Sequence, residues 1–120
     1  MQKMYKTEIW DRRIYSVDPH DEKEYQYYLK LLTGAKMSLS ETELSVSTAT
    51  TSFSVKLSLY EDNSFKTWIG VFPDGNKYRI LKPNGMSMMI WLMSNPDAFD
   101  GFTIGSLNPQ GWSISFKLLK

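Results

Sequence analysis

The chain has 120 residues, of which 42% are hydrophobic, 22% charged and 14% aromatic. This composition supplies enough apolar surface for a folded core, and the length fits a single domain over residues 1–120. Fourteen Lys and Arg against thirteen Asp and Glu leave a net charge of +1, so no overall field attracts a polyanion, and charge recognition has to be local. The absence of cysteine excludes disulfides, thiol catalysis and thiolate zinc sites.

The opening stretch, MQKMYKTEIWDRR, carries charges from position 3 onward and lacks the apolar run of a secretory signal. The longest nearly uncharged apolar stretch, MSMMIWLM at 86–93, is far shorter than the roughly 20 residues that cross a bilayer. From these two features we expect a cytoplasmic protein without a membrane segment.

The first elements predicted along the chain are a strand within residues 8–17 and a helix over residues 19–33. The helix prediction rests on Asp18 as an N-cap, Pro19 at the first helical position, and an apolar stripe that includes Tyr25 and Tyr28. Gly34 supplies the left-handed conformation that commonly ends a helix.

Residues 36–60 alternate between apolar and polar side chains, a period of two that predicts half-buried strands separated by a turn at STATTS. A second turn is predicted at EDNS, residues 61–64, and leads into a hairpin over residues 65–81. The tail GWSISFKLLK alternates again and predicts a last strand.

The register of the 65–81 hairpin decides which side chains share a face. A four-residue loop at 73–76 places Phe72 opposite Lys77 and Gly70 opposite Arg79, whereas a slip by one residue exchanges those two cations for Tyr78 and Ile80. We favour the first register, because it puts Tyr78 and Ile80 in the core and leaves both cations outside.

Residues 86–94 are apolar all round, which favours a short buried helix, although a strand is the alternative. The fold predicted from these elements is an α+β domain. It has a mainly antiparallel sheet of five to six strands, on which two helices pack at about 19–33 and 86–94.

The predicted hairpin carries the main candidate binding surface, a row of aromatic and basic side chains. Its members are Trp68, Phe72, Lys66, Lys77, Arg79 and Lys82. If the rings of Trp68 and Phe72 are exposed, they can stack on unpaired bases while the cations contact phosphates, as in proteins that bind single-stranded nucleic acid. The structural interpretation, which we favour, is that Trp68 and Phe72 are covered by a helix or by a partner protein.

Three other features are weaker candidates. The Met-rich run at 86–93 can serve as an adaptable surface for a partner, but such a run is more often core. His20 lies among acidic residues at the start of the predicted helix, where acids are expected for dipole reasons alone. No metal, cofactor or catalytic motif is recognisable, so we predict neither enzymatic activity nor a cofactor.

These observations predict a small non-catalytic binding protein, such as an inhibitor, adaptor or assembly factor. It would contact another protein through the Trp68 and Phe72 face or through an exposed strand edge, and a homo-oligomer could form through such an edge. The alternative is a single-stranded DNA or RNA binding protein that uses Trp68 and Phe72 as its stacking platform.

Overall fold

The described part of the chain folds as a closed β-barrel with one helix. The computed structural model describes residues 3–40, 42–61, 65–83 and 101–119. Eight antiparallel strands follow one another around the barrel in chain order, and β8 pairs with β1 to close it. The elements are β1 (Tyr5–Ile14), α1 (Pro19–Leu32), β2 (Lys36–Leu39), β3 (Glu43–Ser47), β4 (Ser52–Glu61), β5 (Phe65–Val71), β6 (Lys77–Pro83), β7 (Gly101–Ser106) and β8 (Trp112–Leu119).

The predicted α+β fold with five to six strands and two helices is therefore wrong. Alternation identifies strands, but closure depends on the pairing of β1 with β8, which are separated by almost the whole chain. In a closed barrel the inner faces of all strands form the core together, so the sheet does not need helices packed on its face. Strand β7 has no counterpart among the predicted elements.

The helix predicted over 19–33 is confirmed as α1, with the predicted end signals. Asp18 caps it by accepting a hydrogen bond from the backbone N–H of His20 at 2.8 Å, and Pro19 occupies its first turn. Gly34 follows the helix with a φ of +77°, a left-handed conformation that suits glycine. The helix buries Tyr25, Tyr28 and Leu32.

These helical side chains close one end of the barrel, because they pack onto aromatic residues from the strand ends. The ring of Tyr28 lies 5.7 Å from Phe72, 4.9 Å from Tyr78 and 5.8 Å from Trp112, measured between centroids. Phe72 and Trp112 flank the β5–β6 and β7–β8 turns respectively. Helix α1 thus occupies the barrel mouth next to these two turns.

The register predicted for the 65–81 hairpin is wrong by one residue. Gly70 pairs with Tyr78 and Ile69 with Arg79, so the register is the one-residue slip named above as the alternative. The backbone N–H of Phe72 donates to the carbonyl of Asn76 at 3.0 Å, which makes the loop three residues long rather than four. Gly75 takes a φ of +84° in that loop, the left-handed position that three-residue hairpins require.

Gly70 is buried on the inner face of β5. Side chains of β4 fill the space beside it, because an added Cβ at Gly70 would overlap Cγ1 of Val55 and lie 3.0 Å from Cδ2 of Leu57. The glycine allows β4 and β5 to pack closely inside the barrel.

The helix predicted at 86–94 and most of the turn predicted at 61–64 lie outside the described residues. Within the described part of the chain, no helix is long and apolar enough to cross a membrane.

Candidate functional site

The residues of the predicted aromatic and basic surface do not share one face. Trp68 and Phe72 point into the barrel, where each is only 2% exposed. Lys77 and Arg79 pair with Val71 and Ile69, whose side chains alternate with those of the buried rings and therefore lie on the outer face. Neither ring presents a face to solvent.

The basic members of that surface belong to β5 and β6. Lys77 is exposed, whereas Arg79 is half-buried and its Nε donates to the carbonyl of Ser106 at 2.7 Å. Burial lowers the pKa of the Arg79 guanidinium from its ordinary value. Lys66 and Lys82 are opposite each other in the ladder between β5 and β6, and their side chains lie outside the described part.

A polar network joins α1 to the strands at the closed mouth. The Tyr28 hydroxyl donates to Oδ2 of Asp74 at 2.7 Å, and the Tyr78 hydroxyl approaches the same oxygen at 2.5 Å. The Tyr78 hydroxyl is also 3.0 Å from Oε2 of Glu24. Nε1 of Trp112 donates to Oε1 of Glu24 at 2.9 Å. Two carboxylates, two hydroxyls and one indole N–H thus form a continuous chain of contacts.

The network holds its tyrosines protonated and its aspartate ionised. Burial, followed by the hydrogen bond to Asp74, raises the pKa of both Tyr28 and Tyr78 well above the ordinary tyrosine value. For Asp74, burial alone acts to raise the pKa, but the hydrogen bonds from Tyr78, Tyr28 and the Asn76 backbone outweigh it and lower the pKa. The carboxylate of Asp74 is therefore kept as an acceptor.

A shallow pocket of about 430 Å³ opens beside this network. Its walls include His20, Tyr27, Tyr28 and Asp74. His20 is an exposed side chain, and its Nε2 lies 3.6 Å from Oε2 of Glu24, the next turn along the helix.

The chemistry available in this pocket is limited. Both tyrosine hydroxyls point at carboxylates, so their hydrogens are already used within the protein. Among the described residues, no group of three or more His, Cys, Asp or Glu side chains is placed to hold a metal ion. The network therefore fixes α1 across the barrel mouth, which is a structural role.

Strand β1 differs from the other strands because its two sides are unequally paired. On one side it pairs with β8 from Lys6 to Ile14, but on the other it pairs with β2 only at Tyr5 and Lys6. From Thr7 to Ile14, no described strand pairs with β1 on the side away from β8, although the Thr7 hydroxyl donates there to the carbonyl of Ala35 at 2.7 Å. We call this side of residues 7–14 the β1 edge.

The β1 edge borders a groove of about 560 Å³. It is lined by residues 7–12 of β1 together with Thr33 and Gly34, which connect α1 to β2. Trp10 lies in this stretch and is 37% exposed, although its large ring would favour burial. Glu8, Arg12 and Arg13 are also exposed. Charged groups and a partly exposed indole thus flank an edge of β-sheet.

A β-bulge interrupts β1 at Trp10. Ile9 is opposite Phe116, and Asp11 is opposite the next residue of β8, Ser115, so Trp10 is the extra residue. The bulge reverses the alternation of side chains along the strand.

No known protein family, no curated protein and no solved structure matches this chain.

Sequence reasoning did not single out the β1 edge or the polar network. The stretch TEIWDRR does contain a signal, because a tryptophan beside two arginines and two acids is unusual for a strand with one buried face. Glu24 and Tyr28 are four residues apart and so share a helix face, which could have indicated that Glu24 faces the core. For Asp74, the Pro-Asp-Gly pattern indicated only a turn.

Proposed function

We propose that this protein is a binding protein that acts through contact with another protein chain, and that it takes up an extended segment of that chain on the β1 edge. The observation that carries the proposal is the unequal pairing of β1. Its backbone pairs with β8 along the strand but with β2 at only two positions. A strand edge presents backbone donors and acceptors that an added strand can satisfy.

The side chains along the edge support this function. Trp10 is partly exposed beside the groove, and Arg12 and Arg13 follow it closely in the chain. Tryptophan and arginine are the residue types most enriched among the energetic centres of protein interfaces. The groove between β1 and the Thr33–Gly34 connection gives the incoming segment a second wall.

The proposal places the contact surface on β1 and not on the Trp68 and Phe72 face. Both of those rings are enclosed in the barrel and support its core. The protein partner expected from the sequence would thus contact β1 instead.

A peptide library tests the proposal directly. Displayed random peptides are selected against the immobilised full chain, and each selected peptide is then titrated against wild type and Trp10→Ala. We expect the Trp10→Ala variant to bind at least about tenfold more weakly, because a truncated hot-spot residue typically costs more than 1 kcal/mol.

Val71→Ala is the matched control, since Val71 is 55% exposed on the outer face of β5 and lies away from β1 in the barrel order. Its affinity should stay within about twofold of wild type. Hydrogen exchange with the peptide bound should slow at amides of residues 7–14. Failure to select any binder, or binders that protect amides on another element, would refute the proposal.

A further inference from the structure

The polar network at the closed mouth has one hydrogen fewer than its contacts between hydroxyls and carboxylates. We propose that the pocket beside it binds the ammonium group of a primary amine, either a free amine or a lysine side chain, with Glu24 as the main acceptor. This pocket lies on α1 and the β5–β6 turn, and it shares no lining residue with the groove at the β1 edge. Binding there would be independent of the proposed function.

A count of hydrogens shows which carboxylate oxygen is left without a donor. Tyr28 and Tyr78 each carry one hydroxyl hydrogen. Three contacts join these hydroxyls to carboxylates: Tyr28 with Oδ2 of Asp74 at 2.7 Å, Tyr78 with the same oxygen at 2.5 Å, and Tyr78 with Oε2 of Glu24 at 3.0 Å. Two hydrogens serve only two of these contacts. The contact with Glu24 is the longest, so Oε2 of Glu24 is the oxygen that receives no hydrogen.

The other neighbours of Glu24 do not make up for the missing donor. Nε2 of His20 lies 3.6 Å from Oε2, which is too long for a hydrogen bond, and Nε1 of Trp112 donates to the other oxygen, Oε1. The Glu24 side chain is only 13% exposed, so water has restricted access to it. Because His20 is exposed and lines the pocket, Oε2 faces the pocket. A partly buried carboxylate oxygen without a donor favours an added one.

The charge of the pocket also favours a cation. Glu24 and Asp74 contribute two negative charges and Lys23 contributes one positive charge, so with His20 neutral the lining residues carry a net charge of −1. Within the described part of the chain, neither carboxylate forms an ion pair with a lysine or an arginine. One monovalent cation therefore neutralises the pocket.

The walls of the pocket favour a primary ammonium over a quaternary one. Tyr27 is 58% exposed, whereas Tyr28, whose ring stands at 89° to it, is buried. Quaternary ammonium ions are typically held in cages of several aromatic rings, and here a single tyrosine ring is open to a ligand. A primary ammonium has three N–H donors, one of which can fill the vacancy at Glu24 while its alkyl chain lies against Tyr27.

Butylammonium, the end group of a lysine side chain, is the probe. The isotope-labelled full chain is titrated with butylammonium chloride to roughly 50 mM at constant ionic strength, and the NMR shifts of backbone amides are followed. We expect saturable shifts at residues 20–28 and 74–76, with a dissociation constant on the order of 1 mM. The neutral control, 1-butanol, should bind at least about tenfold more weakly.

A second comparison on wild type tests the missing hydrogen. Butyltrimethylammonium carries the same charge and the same alkyl chain as butylammonium but has no N–H donor. We expect it to bind at least about fivefold more weakly, because it cannot donate to Glu24. Neither comparison depends on a variant that has to fold.

Glu24→Gln tests the named acceptor, since it keeps the size of the side chain and removes its charge. We expect the dissociation constant for butylammonium to rise at least about tenfold. Glu22→Gln is the matched control, because Glu22 is an exposed carboxylate on the same helix that does not line the pocket. Its dissociation constant should stay within about twofold of wild type. Circular dichroism confirms that both variants fold.

Nα-acetyl-lysine methylamide, titrated in the same way, distinguishes the two sources of the amine. Binding as tight as that of butylammonium or tighter assigns the pocket to a lysine side chain of another protein, and weaker binding assigns it to a free amine.

Four results would overturn the ammonium site. They are saturable binding of 1-butanol equal to that of butylammonium, equal binding of the quaternary ion, unchanged binding by Glu24→Gln, and either no saturable shifts or shifts outside the pocket. None of them bears on the β1 edge, whose own test follows amides of residues 7–14.

Discussion

The buried residues Trp68 and Trp112 differ in the hydrogen bonding of their indole N–H groups. Nε1 of Trp112 donates to Glu24 at 2.9 Å, whereas Nε1 of Trp68 is buried and has no hydrogen-bond partner within the described structure. An unsatisfied buried donor costs about 1–3 kcal/mol, since its bond to water is lost without replacement. The two indoles therefore contribute unequally to stability although both are enclosed in the barrel.

The same substitution at these two positions tests that difference. Trp68→Phe and Trp112→Phe both remove part of an apolar ring, but only the second breaks a hydrogen bond and leaves a carboxylate oxygen without its donor. We expect Trp112→Phe to lower the free energy of unfolding by about 1–3 kcal/mol more than Trp68→Phe does. Urea denaturation of both variants measures the difference, and equal losses would contradict the assignment of the two N–H groups.

At the scale of elements, the polar network couples α1 to the β5–β6 hairpin. The Tyr78 hydroxyl bridges Asp74 of the hairpin turn and Glu24 of the helix. Tyr78→Phe removes this bridge without opening a large cavity, and we expect it to reduce the free energy of unfolding by about 1–3 kcal/mol, because hydrogen bonds to charged groups are among the stronger ones.

The control for that variant is Tyr27→Phe, since Tyr27 is 58% exposed on the same helix. We expect a change within about 0.5 kcal/mol, as for most surface substitutions. Chemical denaturation of the two variants measures both values. A loss for Tyr78→Phe no larger than that for Tyr27→Phe would show that the bridge does not stabilise the closed mouth.

Asp74 makes the stability of this contact depend on pH. Its folded pKa is lowered, so the ionised form favours the folded state. That contribution is complete above the unfolded pKa of about 3.9 and is lost as pH falls through the folded value. We expect Asp74→Asn to be less stable than wild type at pH 7, by an amount that shrinks as the pH falls below about 4.

Denaturant midpoints of wild type and Asp74→Asn, measured between pH 7 and pH 3, test this expectation. Glu22→Gln is the control, because Glu22 is an exposed carboxylate on α1 outside the network. A difference between wild type and Asp74→Asn that stays constant over this range would mean that the charge of Asp74 contributes nothing.

Sequence patterns predicted the individual elements better than their arrangement. Helix α1 followed from Asp18, Pro19 and Gly34, which act on the backbone next to them and so leave a local signal. The β5–β6 register did not follow, because three-residue and four-residue loops both fit the same Pro-Asp-Gly stretch. The hydrogen bond from the Phe72 N–H to the Asn76 carbonyl distinguishes the two loops, and no residue type in the stretch marks it.

At the scale of the whole molecule, closure of the barrel was the feature that sequence could not supply. The contact of β1 with β8 joins Ile9 to Phe116 and Arg12 to Ile114, and no local pattern marks either pair. The β1 edge could not be predicted from the sequence for the same reason, since it also depends on which strands pair. The β1 edge exists because α1 separates β1 from β2 in the chain and leaves them paired at only two positions, which no periodicity shows.

The short seam between β1 and β2 is the place where a crosslink can be tested without disturbing the core. Lys6 and Lys36 are opposite each other there, and both are exposed. The chain contains no cysteine, so Lys6→Cys/Lys36→Cys introduces one defined disulfide. We expect its oxidation to raise the free energy of unfolding by about 2–4 kcal/mol, because it restricts the unfolded chain.

The oxidised and reduced forms of that variant are compared by chemical denaturation, so that each serves as the control for the other. A higher free energy of unfolding for the oxidised form would support the pairing of β1 with β2 at these positions. If the disulfide does not form under oxidising conditions, the pairing of Lys6 with Lys36 is wrong.

The three-residue turn between β5 and β6 matches the register of the hairpin, in which Tyr78 faces the core and Lys77 is exposed. Residues opposite each other in the ladder share a face whatever the length of the loop that joins their strands, so one residue inserted after Pro73 would make a four-residue loop closed by the same contact of Phe72 with Asn76. Tyr78 and Arg79 should then keep their faces, because the pairing of β5 with β6 along the rest of the hairpin holds the register.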